Sequence, residues 1–67
     1  MRLYYAYYDK LRQAQFIFAN QKSFWESIDW CLKNYEDLNT ITDIKVLDDD
    51  DIKQLKKQLG KEPIINY

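Results

Sequence analysis

Apolar and polar residues alternate along the first part of the chain in a way that predicts two β-strands. Residues 2–8 alternate with a period of two, and both alternating sets contain tyrosine, so we expect a strand that is covered on both faces. Residues 14–19 show the same period, with Phe16 and Phe18 on one face. The polar stretch between the two segments contains no glycine, which predicts a hairpin loop longer than two residues.

The pattern changes to a helical period at Ser23. Ser23 and Glu26 have the spacing of a capping box, which predicts that a helix begins at Ser23. Apolar residues then recur on one side of a helical wheel, and Asn39 and Thr40 mark the expected end of the helix. The predicted apolar arc consists of Phe24, Trp25, Ile28, Cys31, Leu32, Tyr35 and Leu38.

A third strand and a second helix follow. Residues 41–47 alternate apolar and charged side chains, which is typical of a strand with one face in water. One of the four aspartates at residues 48–51 is the expected N-cap of a helix whose narrow apolar stripe recurs at helical spacing, and Gly60 stands where a left-handed C-cap is expected. The apolar stripe consists of Ile52, Leu55 and Leu59.

The predicted order of elements is ββαβα, and residues 64–67 form either a short edge strand or an extended tail. We therefore expect an α+β fold: a three- or four-stranded, mainly antiparallel sheet with two helices on one face. The 67 residues leave room for a single domain, residues 1–67.

Charge is sorted along the chain. Residues 23–51 contain nine acidic and two basic residues, whereas residues 1–22 and 52–67 are each predominantly basic. A surface whose charges are mostly of one sign favours partners of the opposite charge and raises the rate of encounter with them. The acidic middle of the chain therefore indicates a partner with a basic surface.

Composition argues against catalysis and against a metal or another cofactor. The chain contains no histidine and one cysteine, so it lacks the usual general base and the commonest nitrogen ligand of zinc. The four aspartates at residues 48–51 do not follow the calcium-loop pattern, because Lys53 occupies the glycine position and Leu59 that of the bidentate glutamate. Cys31 alone cannot form an internal disulfide, and no signal peptide or membrane segment is recognisable, so we expect a cytoplasmic protein.

Trp30 is the most unusual residue of the first helix. On the helical wheel it lies outside the apolar arc, on the same side as Glu26 and Lys33. One interpretation is that the C-terminal segment, through Ile64 or Tyr67, folds over the ring. The other is that Trp30 anchors a partner, since tryptophan is among the residues most enriched at binding hot spots.

These observations favour a non-catalytic protein-binding module, a small inhibitor or adaptor that presents an acidic helical face to the basic groove of a nuclease or polymerase. The composition is rich in Ile, Lys, Asn and Tyr, as expected of an AT-rich genome, and indicates a phage or another mobile element. The predicted partner-binding residues are Glu26, Asp29, Trp30, Lys33, Glu36, Asp37, Asp48, Asp49 and Asp50.

Two alternatives remain open. The first is a binder of single-stranded nucleic acid, in which tyrosines stack on bases and basic residues hold phosphates. Its residues are Tyr4, Tyr5, Tyr7, Tyr8, Arg2, Lys10, Arg12 and Lys22. The second is a self-associating structural subunit, a homodimer formed through Trp30 or an open sheet edge. A membrane partner is not expected.

Overall fold

The computed structural model describes residues 2–67, apart from the side chain of Leu38. Its elements are β1 (Tyr4–Asp9), β2 (Ala14–Phe18), α1 (Gln21–Asn34), a 3₁₀ turn (Leu38–Thr40), β3 (Ile41–Leu47), α2 (Asp49–Leu59) and β4 (Ile65–Asn66). The predicted order of strands and helices is confirmed. The last residues of the chain add a fourth strand rather than a free tail.

The strands form one mixed sheet in the order β3-β1-β2-β4. The central strand β1 pairs antiparallel with β2 and with β3, whereas β4 pairs parallel to β2. The predicted α+β class and the mainly antiparallel sheet are confirmed. The parallel pairing of β4 follows from the path of the chain, which returns from α2 along the outer edge of β2.

The two helices lie on opposite faces of this sheet. One face carries the cluster Tyr4, Ala6, Ile17 and Leu47, against which Ile52 and Leu55 of α2 pack. The other face carries Tyr7 and Phe18, which pack against Phe24 and Cys31 of α1. The prediction that both helices share one face is therefore wrong. Both alternating sets of β1 are apolar, and each face must be covered to remove its side chains from water.

Helix α1 begins and ends earlier than its sequence pattern predicts. Asn20 is the N-cap, and its side-chain oxygen accepts hydrogen bonds from the amides of Lys22 and Ser23 at 2.8 and 3.4 Å. The amide of Ser23 is therefore satisfied by Asn20, so the predicted capping box at Ser23 is wrong. Asparagine is as good an N-cap as serine, and the short connection after β2 brings Asn20 to that position.

At its other end, α1 stops at Asn34 rather than near Asn39. Tyr35 is an extended C-cap residue, and its hydroxyl reaches the sheet, where it donates a hydrogen bond to Asp9. Leu38, which the predicted apolar arc included, lies beyond the helix, and its side chain is outside the described part of the molecule. The apolar period alone would continue the helix, whereas the residue that follows it is extended and makes a tertiary hydrogen bond to the sheet.

Helix α2 has the predicted caps. The side chain of Asp48 accepts from the amide of Asp51 at 2.9 Å, and the carboxylate of Asp51 accepts from the amide of Asp48 at 3.1 Å. Gly60 has φ 69° and its amide donates to the carbonyl of Lys56, which is the geometry of a left-handed C-cap. Each cap depends on residues that are close in sequence, and the folded chain forms both caps.

The hairpin between β1 and β2 has the longer loop that its sequence predicts, residues 10–13. Gln13 has φ 54° at the end of this loop, which is a left-handed conformation that glycine adopts more readily than other residues. In β3 the register with β1 shifts between Ala6 and Tyr8, and Asp43 has φ 52° at that bulge. Bulges of this kind interrupt regular pairing along an edge strand, and β3 is an edge strand.

Candidate protein-binding surface

Most of the predicted partner-binding residues lie together on the outer side of α1. Glu26, Asp29, Trp30 and Lys33 fall within one exposed arc of the helix. Glu36 and Asp37 follow directly after the helix and are exposed as well. We call these six residues the α1 face.

The aspartates at the start of α2 do not belong to this surface. Helix α2 packs on the other face of the sheet, so the acidic middle of the chain is divided between two sides of the molecule. Asp48 is engaged as the N-cap, while Asp49 and Asp50 occupy the first turn of α2, where carboxylates are favoured by the helix dipole. The start of helix α2 therefore explains much of the cluster of aspartates at residues 48–51.

Trp30 is half-exposed and held from two sides. Its ring meets the ring of Tyr35 edge-on, with 5.6 Å between centroids, and the guanidinium of Arg12 lies 5.1 Å from the centroid of its ring. The side chain remains 49% exposed. The C-terminal segment instead pairs with β2, and Ile64 and Tyr67 are exposed, so the interpretation in which this segment covers Trp30 is wrong.

Behind Trp30 lies a buried carboxylate, that of Asp9, which is fully inaccessible to solvent. One of its oxygens accepts from the amides of Leu11 and Arg12 at 2.9 and 3.1 Å. The other accepts from Arg12 Nε and from the hydroxyl of Tyr35, both at 2.6 Å. Four donors therefore compensate the cost of burying this charge.

The same arginine continues the network into the core. Its Nη2 donates to the hydroxyl of Tyr7 at 3.0 Å, and that hydroxyl lies 2.6 Å from Ser27 Oγ of α1. Cys31, a buried free thiol, lies 3.9 Å from the same hydroxyl. We call Asp9, Arg12, Tyr7 and Tyr35 the Asp9–Arg12 cluster; it joins the hairpin loop, the central strand and the end of α1.

The cluster shifts the titration of its members. Burial opposes ionisation of Asp9, but hydrogen bonds from Tyr35 and Arg12 outweigh it and leave the pKa of Asp9 below its ordinary value. Burial would lower the pKa of Arg12, but its hydrogen bond to Asp9 raises that pKa above its ordinary value. Burial and the hydrogen bond to Asp9 raise the pKa of Tyr35 to about 12. At neutral pH the cluster thus holds an anion, a cation and neutral phenols.

Alkaline pH is expected to weaken the fold through Tyr35. The folded state favours the neutral phenol of Tyr35. The contribution of this phenol to the stability of the fold is therefore complete below the ordinary tyrosine pKa of 10.0 and is lost as pH rises toward about 12. Tyr35→Phe removes the titrating group. The free energy of unfolding, measured in urea across this pH range, should therefore fall more steeply in the wild type than in Tyr35→Phe. Parallel slopes would contradict this assignment.

The charges of the α1 face are only partly paired within the chain. Lys33 Nζ lies 2.9 Å from a carboxylate oxygen of Asp29, and Lys22 Nζ lies 4.0 Å from one of Glu26; all four side chains are exposed. Exposed pairs of this kind contribute between 0 and about 1 kcal/mol. These ion pairs therefore do little to fix the positions of the two lysines.

Several residues have surroundings that the sequence pattern did not predict. Trp25 and Leu32, both placed in the apolar arc of α1, are more than half exposed. Arg12, considered above as a phosphate ligand, is engaged with Asp9. Asp9 shares the strand face of Tyr7, with Arg12 three residues later, and this spacing is the sequence signal that could have indicated a buried ion pair.

The tyrosine-rich strand is enclosed rather than open. Tyr4 and Tyr7 are buried on opposite faces of the sheet, and Tyr5 and Tyr8 are partly covered. A base needs an accessible ring face on which to stack, and neither buried ring offers one. This placement does not favour the single-stranded nucleic-acid alternative.

Within residues 2–67, no three Cys, Asp or Glu side chains come together as candidate metal ligands. Neither helix in this part of the chain has the length and apolar character needed to cross a membrane. No protein-family model, curated protein or solved structure matches the chain. The α1 face and the Asp9–Arg12 cluster behind it are the features of the described structure that bear on function.

Proposed function

We propose that this chain is a non-catalytic protein-binding module that presents the α1 face to the basic surface of a partner. The observation that carries the proposal is Trp30, whose ring is half-exposed and yet held by Tyr35 and Arg12. An aromatic ring that is already ordered loses little conformational freedom on binding, and tryptophan is the side chain most typical of interface hot spots.

The charges around Trp30 support a basic partner. The α1 face carries four carboxylates and one lysine. Charges at the rim of an interface steer the encounter and fix the orientation of the partner, while a central aromatic residue supplies more of the affinity. Lysines and arginines of the partner would take the place of Lys22 and Lys33 in their exposed ion pairs.

Enzymes that act on nucleic acids have basic grooves for the phosphate backbone, and we propose a nuclease or polymerase as the partner. The chain would then act as a small inhibitor or adaptor that occupies the position of the phosphate backbone, as a phage or mobile-element product would do inside a bacterial host. The single cysteine, held as a buried thiol, agrees with a cytoplasmic location.

Affinity capture with matched variants tests the proposal. Wild-type protein and the double variant Trp30→Ala, Asp37→Lys are immobilised and exposed to the lysate of a low-GC bacterium. We expect the wild type to retain a basic protein that the double variant does not retain, because the variant lacks the anchoring ring and reverses one charge.

Trp25→Ala is the matched control. Trp25 is also an exposed tryptophan of α1, but it lies on the other flank of the helix, outside the α1 face. Circular dichroism establishes that all variants are folded. Identical capture profiles for the wild type and the double variant, or loss of the partner with Trp25→Ala alone, would refute the role of the α1 face.

A further inference from the structure

Two of the three guanidinium nitrogens of Arg12 donate hydrogen bonds to described residues, whereas the third, Nη1, does not. An arginine carries five N–H donors. Nε donates to Asp9, and Nη2 donates to the hydroxyl of Tyr7 and, at 3.8 Å, to the sulfur of the buried Cys31, so these two nitrogens face inward. In the part of the chain that the structure describes, no hydrogen bond involves Nη1, and 37% of the Arg12 side chain is exposed.

The same guanidinium lies near two aromatic rings. Its central carbon is 4.0 Å from the centroid of the Phe16 ring and 5.1 Å from that of Trp30. Asp9 fixes the group from within the core. The guanidinium is therefore held in one orientation next to the half-exposed Trp30, and a ligand would not have to order it.

Asp9 does not cancel the capacity of Arg12 to bind an anion. Its carboxylate accepts four hydrogen bonds, of which Arg12 Nε supplies one and its backbone amide another. The charge of the carboxylate is thus shared with donors other than the guanidinium. Within the described residues, Nη1 keeps both of its N–H groups for an added carboxylate, and a hydrogen bond from a guanidinium to a carboxylate is charge-assisted.

We propose that Arg12 and Trp30 form a site for a carboxylate that has an apolar group beside it. The N–H groups of Nη1 donate to the carboxylate, and the half-exposed indole ring of Trp30 contacts the apolar group. A phosphate group is less suited, because the carboxylates of the α1 face repel a dianion more strongly than a monoanion. In biological terms the inference rests on the proposed function: the carboxylate belongs to the protein partner, as a side chain or a chain terminus.

Small probes test the site without the partner. N-acetylleucine carries a terminal carboxylate beside an apolar side chain, and N-acetylleucinamide has the same shape without the charge. The α-amide of N-acetylglutamate presents a side-chain carboxylate instead. Each probe is titrated into ¹⁵N-labelled wild-type protein, while the Arg12 Nε–H and Trp30 indole N–H resonances are followed by NMR.

We expect N-acetylleucine to shift both resonances in a saturable way, with a dissociation constant that is roughly millimolar, as befits so small a ligand. N-acetylleucinamide should cause at most a tenth of that shift, because a hydrogen bond from Arg12 to a neutral amide is weaker than one to a carboxylate. Whichever carboxylate probe binds more tightly identifies the terminal or the side-chain carboxylate as the source. Equal shifts with acid and amide, or shifts confined to the lysines of α2, would overturn the proposal.

Two variants make the test specific. Arg12→Lys keeps a positive charge, but a single ammonium group cannot hold Asp9 and also present a second nitrogen to a ligand, so this variant should lose the response of the Trp30 indole to N-acetylleucine. Lys10→Gln removes an exposed charge from the same loop and should respond like the wild type. Loss of the response in both variants would show a diffuse charge effect and refute the site. Because no partner is present, failure here is distinguishable from failure of the affinity capture.

Discussion

Replacing Asp9 by alanine is expected to unfold a large fraction of the protein at neutral pH. The substitution removes the acceptor of four hydrogen bonds and leaves Arg12, Tyr35 and two loop amides without their buried partner. Breaking a buried ion pair by removing one member costs about 3 to 5 kcal/mol. A domain of this size has a stability of only a few kcal/mol, so the loss is comparable to the whole.

Urea unfolding followed by circular dichroism measures this effect. Asp43→Asn is the matched control, because Asp43 is an exposed aspartate in a left-handed conformation that asparagine also tolerates. We expect the control to stay within about 0.5 kcal/mol of the wild type, as surface substitutions usually do. If Asp9→Ala were as stable as Asp43→Asn, the Asp9–Arg12 cluster would not be a stabilising part of the fold.

Phe24→Ala is expected to have the second large effect. The ring of Phe24 is buried between α1 and the sheet, with ring centroids 5.8 Å from Tyr5 and 6.1 Å from both Tyr7 and Phe18. Truncating a buried phenylalanine to alanine costs about 3 to 5 kcal/mol through lost burial and the cavity that remains. The same urea measurement should therefore show a population that is largely unfolded without denaturant.

The neighbouring residue supplies the control for Phe24. Trp25 is 57% exposed and touches Phe24 only at the edge, with 5.2 Å between ring centroids. We expect Trp25→Ala to cost less than half as much as Phe24→Ala, although tryptophan is the larger side chain. Equal losses would mean that α1 packs on the sheet through a different side of the helix.

Local sequence signals predicted the elements well. The alternation in β1 and β2, the caps of α2 at Asp48 and Gly60, and the strand at Ile41–Leu47 all depend on residues that are close in sequence. The start of α1 shows the limit of such signals. Asn20 and Ser23 are both good N-cap residues, and the connection from β2 decides between them.

The assignment of each helix to its own face of the sheet required information that is not local. The apolar residues of β1 on both faces show that two covering layers are needed, but they do not say which helix takes which face. A pattern that is apolar on both sides is the signal for helices on opposite faces, and it was present in residues 2–8.

The candidate surface was predicted in part. The helical wheel placed Trp30 outside the apolar arc, and the ring is indeed half-exposed. The Asp9–Arg12 cluster that holds this ring was not predicted, because Asp9 and Tyr35 are 26 residues apart and meet only in the folded chain. An aspartate near the end of a strand looks like an ordinary turn residue unless its partners are known.

The central claim is that Trp30, held by the Asp9–Arg12 cluster, is where this chain meets a basic partner. Calorimetric titration of the captured partner with wild type, Trp30→Ala and Trp25→Ala tests this most directly. We predict that Trp30→Ala weakens the affinity by about thirtyfold or more, as a hot-spot residue does, while Trp25→Ala stays within about threefold of the wild type. Equal affinities for the wild type and Trp30→Ala would contradict the claim.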